Sequence, residues 1–297
     1  MGFPAPHALP AGPPMNYRHA YHAGNFADVI KHAILTRILV HLRGKPAAFR
    51  VIDSHAGAGR YDLAGPEATR SGEWHHGVER LLSARLDPAA AGLLAPYRDV
   101  LAAHNPDGRL RIYPGSPAIV QAFLRPQDRL LACELEPNAA AALKHNFAHD
   151  RRIKMVAIDG WNALGAFLPP KERRGLVLID PPYEEPSDFS NLLQGLGVAR
   201  RRWAQGIYLL WYPVKGRAQP DALARRLRGS GIGKILRAEL NIAPAPDPGE
   251  LTGCGLITVN PPWRLEEEAR TLLAALAPLL AGAAGGSARV DWIAGEM

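Results

Sequence analysis

Cysteine is scarce in this chain: two in 297 residues, Cys133 and Cys254, each in or beside an apolar run. That argues against a disulfide scaffold and reads as reduced core thiols in a cytoplasmic setting. No apolar run reaches the length that spans a bilayer, so no membrane partner is expected. The first fourteen residues, M-G-F-P-A-P-H-A-L-P-A-G-P-P, lack the basic start and apolar centre of a secretory signal. Their proline content predicts a disordered extension over 1–14, with Met15 as the natural start. Internal repeats are missing. So are G-x-G-x-x-G and the G-K-[ST] of a P-loop, which removes the common dinucleotide and nucleoside-triphosphate fingerprints.

What is present is ordinary globular composition, 47% hydrophobic and 21% charged, in a length that holds one large domain or two small ones. The formal charge of +7 suits an acidic partner, nucleic acid first, although a mildly Arg-rich soluble protein carries the same charge. Basic clusters at Arg151-Arg152-Lys154, Lys171-Arg173-Arg174, Arg200-Arg201-Arg202 and Arg225-Arg226-Arg228 suit phosphate contacts. For any single cluster a solvated face is the better reading.

The stretch around which the chain is organised is Leu176 to Tyr183, L-V-L-I-D-P-P-Y. Its continuous apolar run reads as a parallel strand covered on both faces, and the double proline must end it. Asp180 then stands at the carboxyl end of a central strand, where open α/β sheets place their ligands. The Asp180 carboxylate and the Pro181 carbonyl form a rigid pair of acceptors for an exocyclic amino group, and Tyr183 offers a flat face for its ring. D-P-P-Y after an apolar strand resembles the motif of S-adenosylmethionine-dependent amino methyltransferases.

Strands alternating with helices surround it, which implies an α/β fold with a mostly parallel, doubly wound sheet. Helical spacing marks a helix over Phe26 to Arg43, with Lys31 and His32 beside its apolar stripe. A strand and Gly-rich turn follow, F-R-V-I-D-S-H-A-G-A-G-R, with Gly57 and Gly59 free to take positive φ or let a ligand approach. Residues 61–113 carry helical patterns without a convincing strand and read as a helical insertion, leaving 15–60 and 114–297 as the main domain. Pro114-Gly115-Ser116-Pro117 leads into a short helix with Ser116 as a plausible N-cap. Further strands end in Glu134 and Asp159, and the first ends in Asp53. Four acids at one sheet edge repel one another and make sense if cationic or hydroxyl-bearing ligand groups sit between them. Glu134 suits ribose hydroxyls, or else caps the next helix. Asp159 suits an adenine amino group, with Gly160 leaving room for the ring, or else caps its helix. A second prolyl motif, Asn260-Pro261-Pro262-Trp263, follows a strand late in the chain. It either shapes the substrate side or simply ends the strand.

The stretches Y-R-H-A-Y-H-A-G-N-F-A-D-V-I-K-H, D-S-H-A-G-A-G-R-Y, Y-P-G-S-P, L-I-D-P-P-Y-E, I-Y-L-L-W-Y-P-V and V-N-P-P-W together resemble the RlmJ family over Asn16 to Trp292. Members of that family are bacterial methyltransferases that make N6-methyladenine in 23S ribosomal RNA. The resemblance implies a Rossmann-like class I methyltransferase with an inserted helical subdomain, using S-adenosylmethionine. The implied substrate is one adenine of 23S rRNA (2030 in the usual ribosomal numbering), in protein-free RNA or an early assembly intermediate, and the implied enzyme is a monomer. It carries cofactor contacts over to His32, His55, Ser116, Glu134, Asp159, Gly160 and Asp180, catalysis to Asp180 with Pro181 and Tyr183, and a substrate-side role to Tyr17. Without it, His32 and His55 read as core histidines. A metal site from His19, His22, His32 and His55 fits no standard spacing, and none is expected. Glu136 stands where the family pattern has a His.

Three rivals remain open on sequence grounds. A DNA adenine methyltransferase shares D-P-P-Y but would usually need a larger sequence-reading domain. A protein-glutamine methyltransferase would have Asn at position 180. A non-catalytic RNA-binding protein on the same fold would not need the intact acids and glycines.

Overall fold

The structure, a computed structural model, describes residues 18–185, 187–244 and 249–295. Tyr17 and the 1–14 extension lie outside them. A single 3₁₀ turn, His19–Tyr21, leads to α1 (Phe26–Arg43), which the Asn25 side chain caps by accepting from the Asp28 N–H at 3.0 Å. β1 (Phe49–Asp53) follows, then β2 (Arg60–Asp62), α2 (Pro66–Ser71), a 3₁₀ turn Glu73–His76, α3 (Val78–Ser83), α4 (Pro88–His104) and β3 (Ile112–Pro114). The 61–113 segment is thus mainly helical, but β2 and β3 pair antiparallel at its base as a short ribbon. Three-residue strands leave no alternation to read in sequence.

The main domain continues with α5 (Ser116–Phe123), β4 (Arg129–Glu134), α6 (Pro137–Phe147), β5 (Ile153–Ala157), α7 (Gly160–Ala166), β6 (Arg174–Ile179) and α8 (Asp188–Arg202). It closes with β7 (Ile207–Val214), α9 (Ala218–Arg228), β8 (Ile235–Asn241), β9 (Gly253–Val259), α10 (Leu265–Ala281) and β10 (Ser287–Ala294). Ser116 is the first residue of α5 rather than its cap. Gly115 takes the cap position and has no side chain to bond there, and the Ser116 hydroxyl lies near Asp53. Glu136 is the cap of α6, accepting from the N–H groups of Asn138 and Ala139.

Eight strands form one sheet in the order β10-β8-β9-β7-β6-β1-β4-β5. β5, β4, β1, β6 and β7 run parallel, and the other three extend the sheet antiparallel. Alternate strand residues feed two cores, as the two-residue period of a strand requires. Val51, Leu130, Leu176, Leu178 and Leu209 pack under α1, α5 and α10, while Ile52, Leu131, Val177, Ile179 and Leu210 pack under α7, α8 and α9. Covering both faces explains why these strands are apolar throughout. Among the described residues no helix is long and apolar enough to cross a membrane.

The parallel core puts Asp53, Glu134 and Asp180 at one sheet edge, and Asp159 just beyond β5. Asn260 is at the opposite edge, because β9 runs against β7 and its Val259 pairs with Tyr208. The second prolyl motif therefore does not shape the side on which Asp180 stands. Asn260 adopts φ 52° and its side-chain amide donates to the carbonyls of Ala204 and Gly206, at 2.9 and 2.7 Å. Asn tolerates that left-handed backbone better than most residues. Asn260→Ala should lower the unfolding free energy by about 1–3 kcal/mol, read as a shifted denaturation midpoint, and leave chemistry at the Asp180 edge unchanged.

Candidate active site

Asp180 directly follows β6, and the chain turns sharply within three residues. Tyr183 has φ 53°, a conformation disfavoured for an aromatic residue, and is held there by its hydroxyl, which donates to the Trp211 carbonyl at 2.7 Å. Its ring is half-buried, tilted against Phe189 at 4.9 Å and edge-on to Trp211 at 5.6 Å. A cleft of about 470 Å³ opens here, with Tyr183 and Phe189 on one side and Pro213, Lys215 and Pro220 on the other.

The cation between the acids belongs to the chain itself. Lys31, in the second turn of α1, donates to Asp180 Oδ2 at 2.5 Å and lies 2.8 Å from Asp28 Oδ1. Asp28 Oδ2 in turn accepts from the Gly24 N–H at 2.9 Å and meets His19 Nε2 at 3.0 Å. Burial opposes the charged form of Lys31, but Asp180 and Asp28 outweigh it and hold the ammonium well above its usual range. Burial likewise opposes ionisation of Asp28, and Lys31 and His19 overcome it, keeping that carboxyl well below its usual range. Lys31 was not among the residues that sequence patterns marked for the site. The signal available was a lysine beside, rather than opposite, the apolar stripe of a buried helix.

His32 follows in the core. Its Nδ1 lies 2.7 Å from the Tyr113 hydroxyl, which meets the Tyr97 hydroxyl at 2.8 Å, while Nε2 is buried without a partner. Burial pushes its pKa down to about 3, so it is neutral. His55, in the Gly-rich loop, is pushed down to about 4, again by burial and against the pull of Asp180 and Asp159. Its Nδ1 meets the Ser54 hydroxyl at 2.8 Å. The loop uses its glycines as read, with φ 60° at Gly57 and 74° at Gly59.

Glu134 secures that loop: one oxygen accepts from the Gly57 N–H at 2.8 Å, the other from the N–H groups of Leu135 and Glu136. The helix cap beside it is Glu136, so Glu134 is not a cap. Leu135, missed in sequence, is 53% exposed and presents an apolar face at this edge. Asp159 caps α7 by accepting from the Asn162 N–H at 2.9 Å. Packing alone requires a glycine at position 160. A Cβ there would lie 2.4 Å from the Ser54 carbonyl oxygen and 2.6 Å from the His55 ring, so protein already fills the space.

Asp53 is the most unusual group. It is fully buried and neither oxygen has a hydrogen-bond partner of good geometry. Burial, reinforced by Asp180, raises its pKa to about 7 against the nearby Ser116 hydroxyl and Lys31. Orphaned buried acceptors beside a glycine-rich loop fit a ligand that brings its own cation.

A doubly wound sheet with this loop, these acids and D-P-P-Y at one edge is that of a Rossmann-like methyltransferase. A family model described as "Ribosomal RNA large subunit methyltransferase D, RlmJ" matches residues 46–294, and the chain belongs to that family. Ribosomal RNA large subunit methyltransferase J of Escherichia coli (strain K12) is 42% identical over 95% of this chain and 100% of its own. The Haemophilus influenzae protein of the same name is 40% identical, also over 95% of this chain and 100% of its own. The crystal structure of a Legionella pneumophila protein, 32% identical, superposes with a TM-score of 0.82 over 91% of this chain and 98% of its own.

Asp53 gives a pH-dependent prediction. Its raised pKa means that the folded protein holds a proton that the unfolded chain releases, so its contribution to stability is lost as pH rises from about 4 to about 7. Asp53→Asn without ligand should therefore be more stable than the parent at pH ~8, by on the order of 2–4 kcal/mol, with little difference at pH ~4. A gain that is the same at both pH values would show that Asp53 is not protonated in the fold.

Proposed function

We propose that this chain methylates N6 of one adenine in 23S ribosomal RNA, position 2030 by its family resemblance, using S-adenosylmethionine. The observation that carries the reading is the Asp180 carboxylate, pinned through Oδ2 by a buried Lys31 and followed by the Pro181 carbonyl. With Oδ2 engaged, Oδ1 remains to accept one amino hydrogen of adenine while the Pro181 carbonyl accepts the other. The amino lone pair is delocalised into the ring and reacts poorly. Two acceptors on its hydrogens draw electron density onto nitrogen and favour a pyramidal geometry. Lys31 fixes the acceptor before the base arrives, so little reorganisation is left for the reaction itself. The base must leave its stack to reach Asp180, and the cleft beside Tyr183 and Phe189 offers it aromatic walls.

The residues at this edge fit the cofactor. Glu134 and Asp159 each keep acceptor capacity for ribose hydroxyls and the adenine amino group, Leu135 offers an apolar face for the adenine, and Asp53 can meet the ammonium of the methionine end. Ser116, His55 and Gly160 are proposed to meet the cofactor around the same loop, and His32 to reach it from α1 through its unpartnered Nε2. Bound there, S-adenosylmethionine supplies the electrophilic methyl group. The proposed enzyme acts as a monomer in the cytoplasm, on protein-free RNA or an early assembly intermediate. Tyr17 is proposed on the substrate side. His19, two residues on, is bonded to Asp28 and lies 5.0 Å from the Tyr61 ring, which supports an N-terminal stretch entering at this cleft.

Methyl transfer should be measured to protein-free 23S rRNA, assembled subunits, duplex DNA and a glutamine-bearing protein. Activity on RNA alone is expected, and preference for DNA or protein would replace the reading. Asp180→Ala should abolish transfer while cofactor affinity stays within roughly tenfold, and near-normal turnover would remove Asp180 from the mechanism. Tyr17→Ala should reduce turnover on RNA by a stacking loss on the order of 1–3 kcal/mol, with a much smaller change in cofactor affinity by calorimetry.

A further inference from the structure

Arg60 follows the Gly-rich loop and opens β2, and its guanidinium is prepared for an anion that the protein does not provide. It lies over the Phe147 ring at 5.0 Å, and Nη2 donates to the neutral Gln121 amide oxygen at 3.1 Å. Its Nε is buried without a partner, and among the described residues it pairs with no carboxylate. In front of it is a recess of about 360 Å³, walled also by Asn146, His149, Asp150 and Arg152. The one carboxylate there, Asp150, is saturated. It accepts from the Arg152 backbone N–H, Nε and Nη2 and from the Gln121 side chain, and Arg152 holds it well below its usual range. The recess therefore keeps the uncompensated charge of Arg60, with exposed His149 at its rim and exposed Arg151 beside it in sequence.

We propose that this recess seats a backbone phosphate of the RNA, outside the methyl-transfer cleft. Its polar, cationic wall suits phosphate oxygens, which a guanidinium fork meets directly. A base would need an open aromatic face, and here Phe147 is covered by Arg60. The recess backs onto the Gly-rich loop: Asn146 donates to the Ala58 carbonyl at 2.9 Å, and a Cβ on Gly59 would lie 2.5 Å from the Phe147 ring. A strand anchored here is held beside the loop proposed to carry the cofactor. This inference rests on RNA as the substrate. It adds a site that sets RNA affinity and has no part in the chemistry.

Two variants of the full chain test it. Arg60→Gln removes the charge, and His149→Glu puts a carboxylate at an exposed position where folding is not at stake. With protein-free 23S rRNA, each should raise KM about tenfold, with kcat and cofactor affinity within about twofold. The slope of log KM against log salt should become shallower in Arg60→Gln by ~0.7–0.9, one phosphate contact. Inorganic phosphate at constant ionic strength should compete with RNA in the parent more than in Arg60→Gln. Unchanged KM and slope in both variants would overturn the proposal. So would a matching loss of cofactor affinity, which would make Arg60 a strap for the loop, or Arg60-dependent binding of inorganic phosphate with RNA affinity unmoved, which would make this a free-phosphate site. Filter binding of the same RNA applies the same criteria if the parent enzyme transfers no methyl group to it, so the two readings fail separately.

Discussion

A lysine ammonium buried between two carboxylates is the constraint on which the site depends. Moving such a charge out of water costs several kcal/mol, and only close, well-directed partners offset it. Lys31 has both within 2.8 Å, and the three residues come from two distant parts of the chain. The pairing fixes how α1 crosses the sheet edge, because the helix must deliver Nζ to the residue directly after β6. It also ties the segment before α1 to the same point, through Asp28, the Gly24 N–H and His19. Removing one partner would leave an uncompensated charge in the interior, so the position of Asp180 and the placement of the first helix are not separable.

The helical segment after the Gly-rich loop serves this arrangement from the other side. The Glu73 carboxylate meets His22 at 2.9 Å and accepts from the Asn25 side chain at 3.0 Å, and the Gly24 carbonyl accepts from the Val78 N–H at 2.8 Å. Tyr97 and Tyr113 reach His32 from below. Against this dense network the unpartnered atoms stand out. Asp53, at the start of the Gly-rich loop, has both carboxylate oxygens buried without a partner, and His32 Nε2 is likewise left incomplete in the core.

Much of the fold was legible because the rules that made it are local. Continuous apolar strands running into Glu134 and Asp180 can only be covered on both faces, and α1 keeps the bounds its spacing gives. The ribbon of β2 and β3 was not legible, since three residues carry no period. Lys31 was missed because its partner lies 149 positions away, and a lysine early in a helix otherwise reads as solvated. Ser116 looked like a cap by residue type, yet its hydroxyl answers to Asp53. Asn260-Pro261-Pro262-Trp263 mimics a catalytic motif in composition. Chain order already favours Asp180, which follows the fourth parallel strand, and the antiparallel direction of β9 puts Asn260 at the other edge.

Asp180 and the Pro181 carbonyl are proposed to act as paired acceptors on an exocyclic amino group. The most direct measurement is the chemical position of the methyl group, read by mass spectrometry of nucleosides from 23S rRNA after reaction. N6-methyladenosine at a single site is expected. Methylation at a ring nitrogen or ring carbon of adenine, which offer no pair of N–H donors to those two acceptors, would contradict that role.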